Sequence, residues 1–240
     1  MKSLIKSAGS LTKWLAIGFL AVIITISLSC SKDKPTESNY PITETITDID
    51  GNVYKTVKIG DQLWMAENLK VTHYRNGDAI PNVTVNAPWQ GLTTGAYCEY
   101  NNDGNNVATY GRLYNWFAVT DIRKIVPAGW HAPTNAEWQT LINYLGGDSI
   151  AGGKMKEVGT AYWQSPNTGA TDESGFSGMP GGYRIYSGSY SSMGYNAHFW
   201  SSMENYSGRA FYRILYYSNS KVYHNYNYKQ DGYSVRCVKD

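Results

Sequence analysis

Charged residues are scarce in this chain of 240 residues, at 17%. Three of its 21 lysines and arginines (Lys2, Lys6 and Lys13) lie in the first 29 residues, which contain no acid. The remaining 18 basic residues face 19 acidic ones, a net charge of −1. This balance gives no electrostatic reason to expect nucleic-acid binding. A disordered chain is also excluded, because it would be poor in aromatics, whereas this sequence holds 21 Tyr and 8 Trp.

Cysteine is almost absent, with Cys30, Cys98 and Cys237 only. The three form neither a CxxC redox motif nor a zinc-ligand spacing. Cys98 and Cys237 could form one disulfide in an oxidising compartment, or could be two buried thiols. Motifs for hydrolysis are missing too: there is no GxSxG elbow, no phosphate-binding GxxxxGK, and no outstanding pair of carboxylates.

The first 29 residues have the pattern of a secretory signal. The three lysines precede a short apolar run, 14–24, and small residues follow it. The run is short for a membrane-spanning helix, although an uncleaved N-terminal anchor is the alternative. Export places the rest of the chain in the cell envelope.

Leu28-Ser29-Cys30 resembles the lipobox of bacterial lipoproteins, in which a lipid is attached to the cysteine. We therefore predict lipidation at Cys30 and a flexible, polar tether over 30–41. The charged residues directly after Cys30 resemble export tags for the cell surface. The expected location is the outer membrane, where the lipid on Cys30 would hold the protein on the bilayer.

Local signals in the remainder, 42–240, predict a single domain. Asp50-Gly51 predicts a tight hairpin between strands at 45–49 and 53–59. Thr134 and Glu137 form a capping box that begins a helix over 134–145, whose apolar stripe comprises Trp138, Leu141, Ile142 and Leu145. Further helical turns are predicted at 113–119 and 154–158.

The last third is strand-like. Alternating residues over 210–217, a turn at 218–219 and strands at 221–224 and 233–238 indicate antiparallel pairing. Between helix and strands, 159–209 is rich in Gly, Ser, Tyr and Asn and is predicted to be mostly ordered loop. A loop of that length is either functional or a feature of the fold.

Six motifs occur in a fixed order along the chain. They are Trp64–Leu69, Tyr110–Trp116, Gly129–Trp138, Gly175–Arg184, Phe199–Ser202 and Ser234–Cys237. Together they resemble the Fibrobacter succinogenes major paralogous domain (FISUMP) family over roughly 46–240. Many members carry a cysteine where this chain has Val126, so Cys237 could be unpaired here or could pair with Cys98.

The helix start and the later Gly-Gly-Tyr-Arg are also similar to the formylglycine-generating, sulfatase-modifying family. That resemblance implies an α+β, C-type-lectin-like fold: a small twisted antiparallel sheet, two helices and a long irregular loop region. The activity does not carry over, because that family uses two neighbouring C-terminal cysteines and this chain has only Cys237 there.

Polar candidates for a site are few. His131 could be a catalytic base or ligand, but a structural hydrogen bond is the favoured interpretation, and the other three histidines are scattered. No cofactor is expected. Structural calcium could use Asn101-Asn102-Asp103 or Asp172-Glu173, although no motif supports it and the sugar-binding triplets of C-type lectins are absent.

Tyrosines in the loop-rich segments are the best candidates for a binding site. Tyrosine offers a flat apolar ring and a hydroxyl, which suit glycans and proteins alike. We predict that Tyr186, Tyr190 and Tyr226 are partly exposed and contribute to a shallow binding surface. The expected function is a non-enzymatic, lectin-like binding or adhesion domain for a glycan or cell-surface protein. The alternative is an envelope enzyme, either sulfatase-modifying-like or a carbohydrate-active hydrolase.

Overall fold

The computed structural model describes residues 44–240. Cys30, the signal peptide and the whole tether lie outside these residues. All of the described residues belong to one compact unit. Among them, no helix is long and apolar enough to cross a bilayer.

The described part is an α+β structure with two five-stranded sheets and short helices. One sheet has the order β1-β2-β3-β12-β6, formed by Thr45–Thr47, Val53–Ile59, Gln62–Met65, Val238–Lys239 and Trp130–His131. The other has the order β11-β10-β9-β7-β8, formed by Val222–Tyr228, Arg209–Tyr216, Asn196–Tyr206, Gly181–Arg184 and Tyr190–Met193. A two-stranded ribbon pairs β4 (Tyr97–Cys98) with β5 (Leu113–Tyr114).

The predicted hairpin at the start of the domain is present. Strands β1 and β2 pair antiparallel, with Thr47 opposite Val53. The Asp48 amide donates to the Asn52 carbonyl, and the Gly51 amide donates to the Asp48 carbonyl. The loop is therefore formed by three residues, 49–51, rather than by the two that were predicted. Gly51 takes φ +81°, a conformation in which glycine has no Cβ penalty.

The predicted main helix is confirmed. Helix α4 spans Asn135–Tyr144, and the Thr134 hydroxyl and the Glu137 carboxylate form the reciprocal capping box. Its apolar stripe is buried, with Leu141 and Ile142 wholly inaccessible. The stripe packs on one face of the second sheet, in a cluster with Trp64, Phe176 and Phe199.

The other helices are α1 (Asn86–Gln90), α2 (Val107–Tyr110), α3 (Trp116–Thr120) and α5 (Ala151–Met155). The helix predicted over 113–119 is therefore half wrong: 113–114 is strand, and α3 begins after Asn115, whose side chain accepts the Ala118 amide as the N-cap. The turn predicted at 154–158 lies earlier, in α5.

The prediction that 159–209 is mostly loop is wrong in its second half. Strands β7, β8 and β9 lie there, and the irregular stretch is 156–180. Strand β7 pairs with the neighbouring strands β8 and β9, and Phe199 of β9 bridges to distant Ser234. The Gly- and Ser-rich composition hides the pattern, because pairing within the sheet stabilises strands that local propensity does not favour.

Candidate binding surface

Three antiparallel strands align aromatic side chains on one face of the second sheet. In the register of β10 with β11, Phe211 lies opposite Tyr226 and Arg209 lies opposite Tyr228. On the opposite edge of β10, Arg209 pairs with Tyr206 of β9. Because alternate residues of a strand share a face, these rings lie side by side at one end of the sheet.

We call this set the aromatic strip: Tyr186, Tyr206, Phe211, Tyr226 and Tyr228. The centroid of the Tyr226 ring lies 5.7 Å from that of Tyr206 and 6.2 Å from that of Phe211. The ring of Tyr186, from the turn between β7 and β8, lies 4.4 Å from that of Tyr228. These distances are those of favourable aromatic pairs and form two groups of rings. Tyr226 and Tyr228 are alternate residues of β11 and share one face, which places the two groups side by side.

The four tyrosines of the strip are exposed, and Phe211 is half-buried. Tyr206 has 52% of its surface accessible, Tyr226 43%, Tyr186 37% and Tyr228 36%. Exposed neighbouring aromatics leave apolar surface in water, which is typical of interaction sites. The same sheet face becomes buried toward its other end, where Leu215 and Phe199 pack under α4.

The strip is corrugated rather than flat. Tyr186 and Tyr228 are tilted by 46°, Tyr206 and Tyr226 by 69°, and Phe211 and Tyr226 by 88°. A flat crystalline surface needs coplanar rings, so this surface suits a ligand that follows the tilted rings. Each ring presents either a face or an edge to such a ligand.

Polar groups border the strip. The Arg209 guanidinium lies 3.8 Å from the centroid of the Tyr228 ring and donates to Asn227 Oδ1 at 3.3 Å. The imidazole of His224 lies 4.9 Å from the Phe211 ring, and burial and nearby Arg213 lower its pKa. Hydrogen-bonding groups therefore lie beside apolar faces.

Asp231 positions the Tyr186 end of the strip. Its buried carboxylate accepts the Tyr186 amide at 2.7 Å and the Tyr233 hydroxyl at 2.8 Å. Burial raises the pKa of Asp231 to about 7, because desolvation outweighs these two hydrogen bonds and the charge of Arg209.

The pKa of Asp231 makes stability depend on pH. Since the carboxyl binds its proton more tightly when folded, its stabilising contribution is complete below pH 3.8 and is lost as pH rises to about 7. From pH 4 to pH 8, the wild type should lose on the order of 2–4 kcal/mol of unfolding free energy relative to Asp231→Asn, whose amide does not titrate. Urea unfolding at both values measures it, and an unchanged difference would contradict the buried, protonated state.

The structure separates the three predicted tyrosines. Tyr186 and Tyr226 belong to the strip. Tyr190 lies elsewhere, on β8, where its hydroxyl donates to Asn102 at 2.7 Å and its ring packs 5.2 Å from Tyr100. Tyr206 and Phe211 were missed. The alternation in 209–216 is the signal that could have found Phe211.

The two cysteines of the described part are free and buried, so the disulfide considered for Cys98 and Cys237 is absent. They lie in different hydrophobic clusters, which explains why they cannot pair. Burial raises the pKa of the Cys98 thiol to about 11 and raises that of Cys237. Neither side chain therefore supplies a reactive thiolate at neutral pH.

His131 is fixed between two carboxylates. Its Nε2 lies 2.6 Å from Glu137 and its Nδ1 lies 2.7 Å from Asp240. Desolvation opposes the charge, but the two carboxylates prevail and raise the pKa of His131. The imidazole joins the start of α4 to the end of the chain, which is a structural role.

A second histidine, His198, is enclosed. Its ring lies 4.4 Å from Tyr183 and 5.1 Å from Tyr233, and burial lowers its pKa to about 3. Its Nδ1 has no partner within the described residues. The neutral ring is part of the aromatic core and is not accessible to a ligand.

The acidic clusters considered for calcium serve local structure. Asp103 accepts the Asn105 amide and begins a 3₁₀ turn. Asp172 accepts the amide and hydroxyl of Ser177, and Glu173 pairs with Lys154 at 2.7 Å. Within 44–240, no group of three or more His, Cys, Asp or Glu side chains that could hold a metal comes together.

The sequence motifs meet in the interior of the domain. The Arg236 guanidinium donates to Asn68 Oδ1 and to the carbonyls of Met65, Phe176 and Ser177, which joins three motifs. The indole of Trp200 donates to Tyr114, and that of Trp116 donates to Ser201. These motif residues therefore build the scaffold, while the strip lies outside them.

The chain is thus an α+β domain whose signature residues are internal and whose aromatic strip is external. A model of the Fibrobacter succinogenes major domain matches residues 57–239, and the chain belongs to this family. Neither a curated protein nor a solved structure matches the chain.

Proposed function

We propose that this domain is a non-enzymatic binding module of the cell envelope, which uses the aromatic strip to adhere to a glycan. The observation that carries the proposal is the contiguous exposure of Tyr186, Tyr206, Tyr226 and Tyr228 on a rigid sheet. An exposed surface of this kind costs solubility unless a ligand covers it.

The chemistry of the strip favours a glycan. The apolar faces of a sugar stack on aromatic rings, and its hydroxyls need donors and acceptors nearby. The tyrosine hydroxyls, Arg209 and His224 supply such groups at the border of the rings. The tilted rings favour a discrete glycan chain over a crystalline polysaccharide, and a cell-surface protein is the second ligand class to test.

The proposed fold is C-type-lectin-like. The support is an α+β architecture with curled antiparallel sheets, few helices and an irregular stretch at 156–180. In this proposal the strip lies on β9, β10 and β11 rather than in the irregular stretch. The ligand therefore meets a surface that the sheet holds in place.

The enzymatic alternative has less support. A sulfatase-modifying type of chemistry needs a reactive cysteine pair, and Cys98 and Cys237 are separated, buried thiols with raised pKa values. His131 is held by hydrogen bonds to two carboxylates, and His198 is packed among tyrosines. The strip is the surface in the described part that best fits a ligand.

The proposed location is the outer membrane, with lipid on Cys30 and the domain outside the cell. Metabolic labelling with a palmitate analogue should mark the wild-type protein and leave Cys30→Ala unlabelled, because the lipidation machinery acts on that cysteine. Cys98→Ala is the matched control and should remain labelled. Label on Cys30→Ala would contradict lipidation at this residue.

The strip predicts the effect of removing its rings. Tyr206→Ala, Tyr226→Ala and Tyr228→Ala combined should weaken binding to a glycan selected on an array by at least about 10-fold, since stacked rings are each worth about 0.5–1.5 kcal/mol. The matched control is Tyr144→Ala with Tyr195→Ala, which removes exposed rings outside the strip. Calorimetry with residues 35–240 measures the affinities.

The outcomes of this experiment separate the ligand classes. Glycan binding that survives in the triple variant, with an unchanged melting temperature, would contradict the strip as the site. Binding to proteins but not to glycans on parallel arrays, with the same loss in the triple variant, would retain the strip and replace its ligand class.

A further inference from the structure

Strand β11 is an open edge of the second sheet. It pairs with β10 on one side, and within the described residues no strand pairs with its other side. The Val222 amide donates to Asp148, so the beginning of the strand is covered. Residues 223–226 and 228 are exposed.

The outward-facing backbone groups follow from the hydrogen-bond register. The Lys229 amide donates to Gly208, and antiparallel strands alternate inward and outward residues from there. The backbones of Asn225 and Asn227 therefore face β10. Those of His224, Tyr226 and Tyr228 face outward, and the Tyr226 amide donates to the side chain of Asn225 at 2.8 Å.

This edge lacks the features that usually prevent edge pairing. Residues 222–228 contain no Lys, Arg, Asp, Glu or Pro. The other edges of the two large sheets are shorter: β1 has three residues, β8 has four and β6 has two. A seven-residue edge with exposed aromatics offers its outward backbone groups to another strand.

The sequence of the strand matches its own reverse around Tyr226. Reading outward, Asn225 and Asn227 flank the central tyrosine, and the aromatic rings of His224 and Tyr228 follow. In an antiparallel pair of two copies, Tyr226 faces Tyr226, asparagine faces asparagine, and His224 faces Tyr228. Aromatic pairs directly opposite each other stabilise a sheet, and no like charges meet.

We propose that two copies of this domain pair through their β11 edges, antiparallel and with a two-fold axis at Tyr226. The outward groups of His224, Tyr226 and Tyr228 are in register for about six backbone hydrogen bonds across the axis. The interface is isologous, as in most homodimers, and it closes both edges. This inference does not rest on the proposed ligand, although the pairing would join two aromatic strips into one surface.

Sedimentation of residues 35–240 tests the pairing. The wild type should change from monomer to dimer as its concentration rises toward about 1 mM, a range that includes weak association. Tyr226→Pro removes an outward amide that is not bonded to β10 and should remain monomeric over the same range. Tyr226→Lys places like charges opposite each other, keeps the amide and should also remain monomeric.

Cysteine cross-linking tests the register. Under mild oxidation Tyr226→Cys should give a disulfide-linked dimer, because the paired Cα atoms lie about 5.5 Å apart. Tyr228→Cys should not, since the two cysteines would be separated by roughly 13 Å along the strand. A mixture of His224→Cys and Tyr228→Cys should cross-link.

Each outcome decides the proposal. A wild type that is monomeric at about 1 mM overturns it, as does equal cross-linking of Tyr226→Cys and Tyr228→Cys. Dimerisation that persists in both folded variants, Tyr226→Pro and Tyr226→Lys, would place the interface elsewhere and would also overturn it. Circular dichroism establishes that each variant is folded.

Discussion

Replacing Arg236 by methionine is expected to destabilise the domain by at least about 3 kcal/mol. The guanidinium is inaccessible and satisfies four acceptors, namely Asn68 Oδ1 and the carbonyls of Met65, Phe176 and Ser177. Methionine fills much of the space but donates nothing, so these buried acceptors lose their partner. Urea unfolding at pH 7 measures the difference.

The cost of burying Arg236 opposes this loss. Burial lowers the pKa of Arg236 to about 9, which shows that desolvation of the charge opposes folding. Removing the charge therefore restores part of the unfolding free energy. Four unsatisfied acceptors outweigh that return, because each buried group without a partner costs about 1–3 kcal/mol. If the methionine variant were as stable as the wild type, the desolvation cost of Arg236 would equal or exceed the contribution of its hydrogen bonds, and these bonds would not stabilise the packing of the motifs.

Two variants serve as controls for Arg236. Arg123→Met removes a surface arginine that pairs with Asp78 and Asp121, and it should leave the unfolding midpoint almost unchanged. Arg236→Lys retains the charge but cannot reach all four acceptors, and it should lie between the wild type and methionine.

Leu141→Ala is expected to cost about 2–5 kcal/mol, the range for a large-to-small substitution in a core. Leu141 is wholly buried in α4 and belongs to the cluster that includes Trp138 and Phe199. Asn143→Ala, on the exposed side of the same helix, is the matched control. A loss below about 0.5 kcal/mol for Leu141→Ala would mean that the stripe does not pack against the sheet.

The elements that the sequence predicted are those with local signals. Thr134 and Glu137 lie three residues apart and specify the start of α4 by themselves. Strands β10 and β11 have alternating residues and a turn between them, and the hairpin of β1 and β2 has Asp50-Gly51. Each pattern lies within one continuous segment, so it can be read without knowledge of distant residues.

The elements and contacts that were missed leave no clear local pattern in the sequence. Strand β7 pairs through Gly182 with Ala197, and neither residue has a strand preference. Arg236 meets Asn68 across the whole length of the domain, so its role as a connection between motifs is invisible in the sequence. Tyr206 joins the strip only through irregular register between β9 and β10.

The candidate site was predicted in part for the same reason. Composition identified exposed tyrosines in the last third, and two of the three named residues, Tyr186 and Tyr226, lie together on the strip. Tyr190 could not be separated from them, because its contact with Tyr100 and Asn102 links two segments far apart in the chain. Register, rather than residue type, decides which tyrosines form one surface.

Mapping the exposed tyrosines by chemical nitration, with and without a glycan selected on an array, tests the central claim most directly. The experiment uses dilute residues 35–240, and mass spectrometry reads the modification of each ring. We predict that the glycan protects Tyr206, Tyr226 and Tyr228, while Tyr144 and Tyr195 are modified as in its absence. Protection of Tyr144 or Tyr195 with the strip left reactive would contradict the proposed binding surface.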